Sequence, residues 1–564
     1  MSNACFPNSD RCAISVRPLP FRLLLGAVAG VLSLSAMPAA AQSSFEPAAI
    51  ERTIPGQISA TSDVPSVVFQ AREPIHSQAT GRFTLGAVNI DGATVFSKKE
   101  LTAYFEPLLA SDVDASKLSQ MADRITERYR QTGYLLSYAT VPTQDVQAGM
   151  VRLAIVEGRI GNIIVKGAGA DQLAVEAIAA PLLADAPLRA STLERTIGLV
   201  RDFPGLSVID ATLARSGSDS ALYDLKITVA RDRARAFTYM DNRGSDETGR
   251  LRIFSSASLS SVAIQGDEVR LDLFGMPGRR FRYVYGQLHA SVPLGPSGWR
   301  LAIAASKGDH QLRTAERADG DSTNLSAQLS YPMVRSRALT MVTKFSLNDW
   351  RSSGDQDQIL TLRDRLRVAR IGLEISNESK TRLQGEFSLS RGLGFDKMTK
   401  VGDPRASRPD ASGRFTKAAL NLQVTRPLSD KVNLKTVLSG QYSDRPLLSA
   451  EEFALGGTRI GRAFSFNALT GDRGVGGGAE VSYRLSDSKR GVSNVELFGF
   501  VDGGMVFEAK SEAAIDRRRS LASAGMGARF RLLGTAISAE AGMPLAADGP
   551  HKSVNLFFST TKSF

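Results

Sequence analysis

Beyond Arg231 the helical period disappears from this chain and a period of two takes over. Leu339, Met341, Thr343, Phe345 and Leu347 alternate with Thr340, Val342, Lys344 and Ser346. Phe281, Tyr283 and Tyr285 alternate with Arg282 and Val284, and Leu325, Ala327, Leu329 and Tyr331 follow the same rule. Successive strand side chains point to opposite faces, so long strands with an apolar face and a polar or charged one suit a wall between lipid and water. Lipid offers the backbone no hydrogen-bond partners, so such a wall has to close on itself. The tail Val554-Asn555-Leu556-Phe557-Phe558 runs on alternately to Phe564, the aromatic end by which outer-membrane barrels are recognised for insertion. That ending and the length of the segment argue against a soluble β-sandwich or solenoid. Roughly 330 residues at about 20 per strand and connection give a transmembrane antiparallel β-barrel of about 16 strands over residues 232–564.

Composition agrees with strands rather than helices as the membrane element. The chain is 43% hydrophobic with a mean hydropathy of -0.10. Only Leu23 to Ala41 is greasy enough for a membrane helix. Arg11, Arg17 and Arg22 before it and Ala39-Ala40-Ala41 at its end make residues 1–41 a secretory signal peptide, with a retained signal anchor as the alternative. Cys5 and Cys12 both fall in this segment, so the mature chain has no disulfide, thiolate metal site or cysteine catalysis. The net charge of +12 falls to +10 once three arginines and Asp10 are removed. Basic residues interleave with acids, which points to no nucleic acid; contact with acidic lipopolysaccharide, a basic lumen and charge that is simply solvated are the readings of the surplus.

Residues 42–81 are polar and broken by Pro47, Pro55, Pro65 and Pro74, and read as a helix around Ala48 to Arg52 followed by a linker. A compact module then fills 82–158. Phe83, Leu85, Val88 and Ile90 form a strand, and Ser97 with Glu100 caps a helix. Leu118, Met121, Ile125 and Tyr129 lie on one helical face that Gly133 ends, and strands follow at Leu135 to Val141 and Val151 to Val156. The order β-α-α-β-β repeats over 159–231: a strand at Ile160 to Val165, a helix through Leu173 to Leu183, a Ser191/Glu194 capping box, and strands at Leu206 to Leu213 and Leu222 to Val229. Two copies of one α+β module therefore precede the barrel.

Catalytic and metal chemistry finds no footing. His76, His289, His310 and His551 show no ligand spacing, and no HExxH, GxSxG or P-loop occurs. Gly474, Gly476, Gly477 and Gly478 lie among barrel strands and read as a bulge or bend. No enzyme, cofactor or metal is expected.

Several fragments, taken in order, resemble one family. Tyr129 with Gly133-Tyr134, Pro142-Thr143-Gln144, Gly149 and Glu157-Gly158 mark the first module. Leu193-Glu194-Arg195 and Asp202-Phe203-Pro204-Gly205 mark the second, and Asp241-Asn242-Arg243-Gly244 with Gly249 opens the barrel. Gln441, Pro446-Leu447, Glu452-Phe453 and Leu455-Gly456-Gly457 lead to Ile460-Gly461-Arg462-Ala463-Phe464 and Gly471-Asp472; Phe500-Val501-Asp502-Gly503-Gly504 follows. The chain resembles the two-partner secretion transporters, the haemolysin/haemagglutinin secretion and activation proteins of the POTRA-barrel translocase superfamily. The resemblance implies that the tandem modules are POTRA domains and that a sixth extracellular loop, about 444–474, folds back into the lumen. There Arg462 at the tip would pair with Asp502, with Gly461, Phe464, Phe500 and Gly503 around them; Ala463 stands where the family usually has glycine.

What the resemblance implies for function is an outer-membrane export pore with its N-terminal domains in the periplasm. The POTRA domains, through Tyr134, Gln144, Glu157 and Arg195, would dock an unfolded exoprotein, a large β-helical haemagglutinin- or haemolysin-like partner, which would cross without ATP. The helix near Ala48 to Arg52 would plug the resting lumen. The barrel-assembly machinery would insert the chain as a monomeric pore. A barrel-assembly insertase of the same superfamily and a substrate-specific porin are the alternatives.

Overall fold

The computed structural model describes residues 68–69, 82–146, 148–244, 249–278, 281–313, 317–356, 359–486, 491–509, 518–547 and 553–564. The signal peptide and the plug helix expected near Ala48 lie outside the described residues.

In the first module the expected opening strand is split. Phe83–Thr84 pairs with Asp112–Val113, and Ala87–Asp91 runs parallel to Met150–Val156, which also pairs with Tyr138–Thr140. Leu85 between the two pieces is buried, and its N–H donates to Ser111 O at 3.0 Å. The helix Ala115–Gln131 is started by Asp114, whose carboxylate accepts from Lys117 N at 3.0 Å. Its Leu118, Met121, Ile125 and Tyr129 are buried, as their spacing requires. Ser97 and Glu100 form their capping box.

The second module is a sheet of Arg159–Lys166, Leu222–Arg231 and Leu206–Arg215, extended at its margin by Val68–Phe69, which runs parallel to Thr212 and Leu213. The Ser191/Glu194 capping box does not form. The helix there, Ala190–Arg201, begins two residues earlier behind Arg189, whose N–H is taken by Asp185, and Glu194 instead accepts from Arg337 N of the barrel at 3.3 Å.

Sixteen antiparallel strands close the barrel, from Ala234–Asp241 to Asn555–Ser563. The closing seam pairs Phe237–Asp241 with Ser563–Ser559. Beyond it the Asn242 amide continues the pairing with its side chain, donating to Leu556 O at 3.0 Å and accepting from Phe558 N at 2.7 Å. Phe564 donates its N–H to Ala236 O at 2.8 Å on the same seam. Phe345 and Leu347 are exposed on the lipid face. Tyr283 and Tyr285 are not: both are buried on the inner face, and Val284 between them is the outward, exposed residue. The three rings alone mislead; further along the strand Gln287, His289 and Ser291 share the inner face while Leu288, Ala290 and Val292 face outward.

The glycine cluster is no bulge either. Gly474 to Gly478 pair in unbroken register with Gln441 to Val437, within the strand Arg473–Ser486. A Cβ at Gly474 would stand 2.1 Å from the Phe453 ring, and one at Gly476 3.0 Å from Leu455. Gly474 and Gly476, with Gly478 beside them, make a smooth patch of inner wall against which a loop lies.

Candidate functional site

That loop is 444–472, between the strands Val432–Ser443 and Arg473–Ser486. It folds into the lumen as a short ribbon, Phe453–Leu455 against Leu469–Gly471. Leu455, Ile460, Ala463 and Phe464 pack on Val506 and Leu521 of the wall. Ala463 is seated opposite Gly542, where an added Cβ would come within 3.1 Å of its own. A missing side chain on the wall thus accommodates the extra methyl at the tip.

Arg462 and Asp502 do meet, but not as the side-chain fork the resemblance implies. Asp502 accepts two successive backbone N–H groups of the tip, Gly461 at 2.8 Å and Arg462 at 3.3 Å, and also binds Ser523 Oγ. Gly461 is in the left-handed region at φ 79, which lets this turn present both N–H groups to one carboxylate. The guanidinium goes elsewhere: Nη1 donates to Glu480 Oε2 at 2.5 Å, Nε to Glu540 Oε1 at 3.2 Å and Nη2 to Glu540 Oε2. Its plane lies 3.8 Å from the centre of the Phe500 ring. Gly503 sits close to the neighbouring strand, where a Cβ would reach Leu521 O at 2.9 Å.

Both acids have further cations. Glu480 also takes Arg529 at 2.6 and 2.9 Å and Lys435 at 3.3 Å. Glu540 also takes Arg243 Nη2 at 2.8 Å, and Arg243 Nη1 donates to Arg462 O at 2.9 Å. Asp241 accepts Arg252 at 2.7 and 2.8 Å and Arg243 N at 2.9 Å. The Asp241-Asn242-Arg243 opening of the barrel is thereby explained: it holds the arginine layer, the seam and the loop.

The base of the loop has a second clamp that sequence reading passed over. Asp472 accepts Arg408 Nη1, Leu447 N and Ala509 N, each at 2.7 Å, and Arg408 also reaches Glu452 at 3.0 Å and Asp410 at 3.1 Å. Burial acts against the Arg408 charge, but Asp472, Glu452 and Asp410 outweigh it and raise its pKa. Arg408 belongs to the loop 393–415, whose Ala406, Ala411 and Phe415 pack with Leu447 and Leu448. Lone acids on strands and an arginine in a loop carry no local signature. Parity along the strands, which puts Glu480 opposite Phe500, was the available signal.

The periplasmic candidates are mostly spent on the fold. Glu157 accepts Thr94 N at 2.8 Å, Val95 N at 3.0 Å, Tyr129 Oη at 2.8 Å and Thr94 Oγ1. Tyr134 stacks edge-on against Tyr129 at 6.1 Å. Gln144 bridges to the Arg152 backbone with both ends of its amide, at 2.7 and 2.8 Å. Arg195 reaches barrel turns, donating to Pro332 O at 2.8 Å and Ser297 O at 3.1 Å, and Asp202 binds Arg335 at 2.7 and 2.9 Å. The Glu194-Arg195 and Asp202 fragments therefore join the second module to the barrel.

Burial raises the Glu157 pKa, but the hydrogen bonds from Thr94 and Val95 outweigh it and leave it lowered. A depressed carboxylate contributes stability above its unfolded pKa, near 4.5, and loses it as pH falls through the folded value. Glu157→Gln is expected to weaken amide protection at Thr94 and Val95 by about 2 kcal/mol at pH 7. Hydrogen exchange on the whole chain should show that gap closing as pH drops below 4.5; a gap independent of pH would reject the carboxylate's role.

Among the described residues no cluster suited to a metal ion occurs. The model of the haemolysin secretion/activation proteins ShlB/FhaC/HecB matches residues 223–530, and that of the ShlB-type POTRA domain matches 83–158. The heme/hemopexin transporter protein HuxB of Haemophilus influenzae (strain 86-028NP) is 24% identical over 79% of this chain and 80% of its own. The outer membrane transporter CdiB of Dickeya dadantii is 22% identical over 76% and 77%. The solved structure of CdiB from Escherichia coli shares the fold, with a TM-score of 0.72 at 18% identity, over 92% of this chain and 95% of that one. With a family model spanning more than half of its length, this chain belongs to the haemolysin secretion/activation proteins ShlB/FhaC/HecB, the outer-membrane transporters of two-partner secretion.

Proposed function

We propose that the protein exports an exoprotein from the periplasm to the cell surface or medium, with the loop 444–472 as the element that yields to the passing chain. The observation that carries this is how the loop is held. Its tip is fixed to the lumen wall chiefly by ionic and backbone contacts of Arg462 and Gly461, which can exchange for water, rather than by a large apolar core. Relatives are transporters, the heme/hemopexin transporter HuxB and the outer membrane transporter CdiB, which favours export over an insertase or a porin.

Docking would use strand margins more than Tyr134, Gln144, Glu157 and Arg195, whose side chains are engaged within the fold. Ala87–Asp91 forms one margin of the first module's sheet. The margin of the second already accepts an extended segment, Val68–Phe69. Both suit β-augmentation by an unfolded chain. The partner would be a large β-helical haemagglutinin- or haemolysin-like exoprotein. The surroundings would be outer-membrane lipid and lipopolysaccharide, with insertion by the barrel-assembly machinery through Phe564 and a monomeric pore, since one chain closes its own barrel.

Co-expression with an exoprotein encoded beside it should release that protein into the medium. Deleting residues 83–158 should abolish release while the barrel still reaches the outer membrane. Undiminished release from the deletion would reject docking by the first module, and no release from the intact pair would reject the export reading for that partner.

A further inference from the structure

On the strands Thr340–Gln356, Ile359–Ser376 and Arg382–Gly392 the side chains of Phe345, Leu347, Ile371, Phe387 and Leu389 are exposed and face lipid. The turns at one end of these strands meet the second periplasmic module, through Asp202 with Arg335 and Arg201 with Glu378. The other end is therefore extracellular. Followed toward it in steps of two, the outer face passes from apolar residues straight to arginine. Leu347 gives way to Asp349 and Arg351, Ala369 to Arg367, Arg365 and Arg363, and Leu389 to Arg391.

Register brings these arginines together. Arg351 stands directly opposite Arg365, Asp349 opposite Arg367, and Arg391 opposite Ala369. Asp349 is the acid of the patch, and both Arg351 and Arg367 donate to it at 3.0 Å. Asp321, the next acid on this face, is turned to Ser353. Among the described residues the guanidinium groups of Arg363 and Arg365 form no ion pair. Arg363 and Arg391 are exposed, and the Arg351 side chain is 61% exposed. Phe395, with Arg367 5.6 Å from its ring centre, is exposed beside them, an aromatic at the level where lipid meets water. Like charges directly opposite one another on a sheet repel, and within the patch Asp349 alone offsets that repulsion.

We propose that Arg351, Arg363, Arg365, Arg367 and Arg391 form a binding surface for the phosphate groups of lipopolysaccharide in the outer leaflet. The inference deepens the reading of lipopolysaccharide as part of the barrel's surroundings and rests on it. A planar guanidinium gives a phosphate two parallel N–H bonds, and neighbouring arginines can share one anion. The acyl chains of the same lipid would lie along Leu347, Ile371 and Leu389, on the membrane side of the arginines. Head group and chains are thus met in the order in which the strands present them. A free phosphate would meet the arginines but gain nothing from the apolar band, which separates the two sources of the same chemistry.

The test uses the full-length protein purified from outer membranes into detergent, with bisphosphoryl lipid A as the probe. Recovery of the parent from that membrane in its heat-modifiable form is established first, and failure there counts against the membrane reading rather than the site. The parent should retain lipid A by native mass spectrometry, and Arg363→Gln with Arg365→Gln should weaken retention about tenfold or more. Arg426→Gln with Lys431→Gln removes the same charge from exposed positions at the periplasmic end and should bind as the parent does. Lipid A stripped of its phosphates should bind about tenfold more weakly, and an excess of inorganic phosphate should leave lipid A in place. The site is rejected if the parent retains no lipid A, or if the glutamine pair at 363 and 365 retains it as the parent does. Equal loss from the periplasmic pair, or equal binding of the stripped lipid, also rejects it. Displacement by inorganic phosphate marks a free anion as the ligand and rejects the lipid.

Discussion

Arg462→Ala is expected to lower exoprotein release about tenfold or more while leaving the barrel folded, because a loop that has lost its seat on the wall lies unanchored across the path the exoprotein must take. Removing the guanidinium deprives the tip of its bonds to Glu480 and Glu540 and of its stacking on Phe500. The acids left behind are not orphaned, since Glu480 keeps Arg529 and Lys435, and Glu540 keeps Arg243. The usual danger of deleting one partner of a buried pair, an uncompensated charge, is therefore absent on the wall. What remains is the loss of loop attachment. At about 1.5–3 kcal/mol for the charged hydrogen bonds lost, it shifts the ratio of attached to detached loop about 10- to 100-fold. Arg462→Lys keeps the charge but cannot hold two acids with one planar fork, so an intermediate defect is expected. Asp502→Asn should be milder still, because an amide oxygen can go on accepting from Gly461. Release measured across the three variants, with protease accessibility of residues 444–472 as the structural readout, decides the matter. If Asp502→Asn proves as severe as Arg462→Ala, the wall acid facing the backbone is the lock, and the division of labour described here is wrong.

That division marks how far the sequence could be read. The alternation of Leu339 to Leu347 needs only neighbours along one strand, and it was enough to anticipate barrel strands; the length of the segment anticipated about sixteen of them, and sixteen close the barrel. Ser97 and Glu100, three residues apart, announced their capping box because both partners are local. Ser191 and Glu194 carry the same signal, yet the barrel draws Glu194 away to Arg337, which local pattern cannot foresee. Family resemblance brought Arg462 and Asp502 together, 40 residues apart, and the structure does place them in contact. It could not say which atoms meet, because that depends on the left-handed turn at Gly461. Glu540 lies further along the chain as the single charged residue of its strand, and only the closed barrel brings it under the tip. Tyr283 and Tyr285 are a different case: Gln287, His289 and Ser291 on the same face mark it as the lumen side, a signal carried by the whole strand and not by the rings alone.

Asp472→Ala is expected to loosen the base of the same loop by about 3–5 kcal/mol, the cost of breaking a buried ion pair from one side. Here the residue removed is the hub. Its carboxylate is fully buried and gathers Arg408, the Leu447 N–H and the Ala509 N–H. With alanine, two backbone donors lose their acceptor, and Arg408, itself largely buried, retains only Glu452 and Asp410. Arg408→Ala should cost less, because Asp472 would still be satisfied by the two N–H groups. The order Asp472→Ala worse than Arg408→Ala is thus the mark of a hub carboxylate. It is read from the temperature at which the barrel loses its heat-resistant mobility and from proteolysis of residues 393–415 and 444–472. If the loop were held at its tip alone, both variants would leave proteolysis of 393–415 at the parent level and differ from it only as surface substitutions do, within about 0.5 kcal/mol. The loop is anchored at both ends by arginine–carboxylate contacts, and the glycine patch under it offers little to grip. Release of the tip would therefore let it swing on its base, whereas release of the base should let the loop and the 393–415 cap come away together.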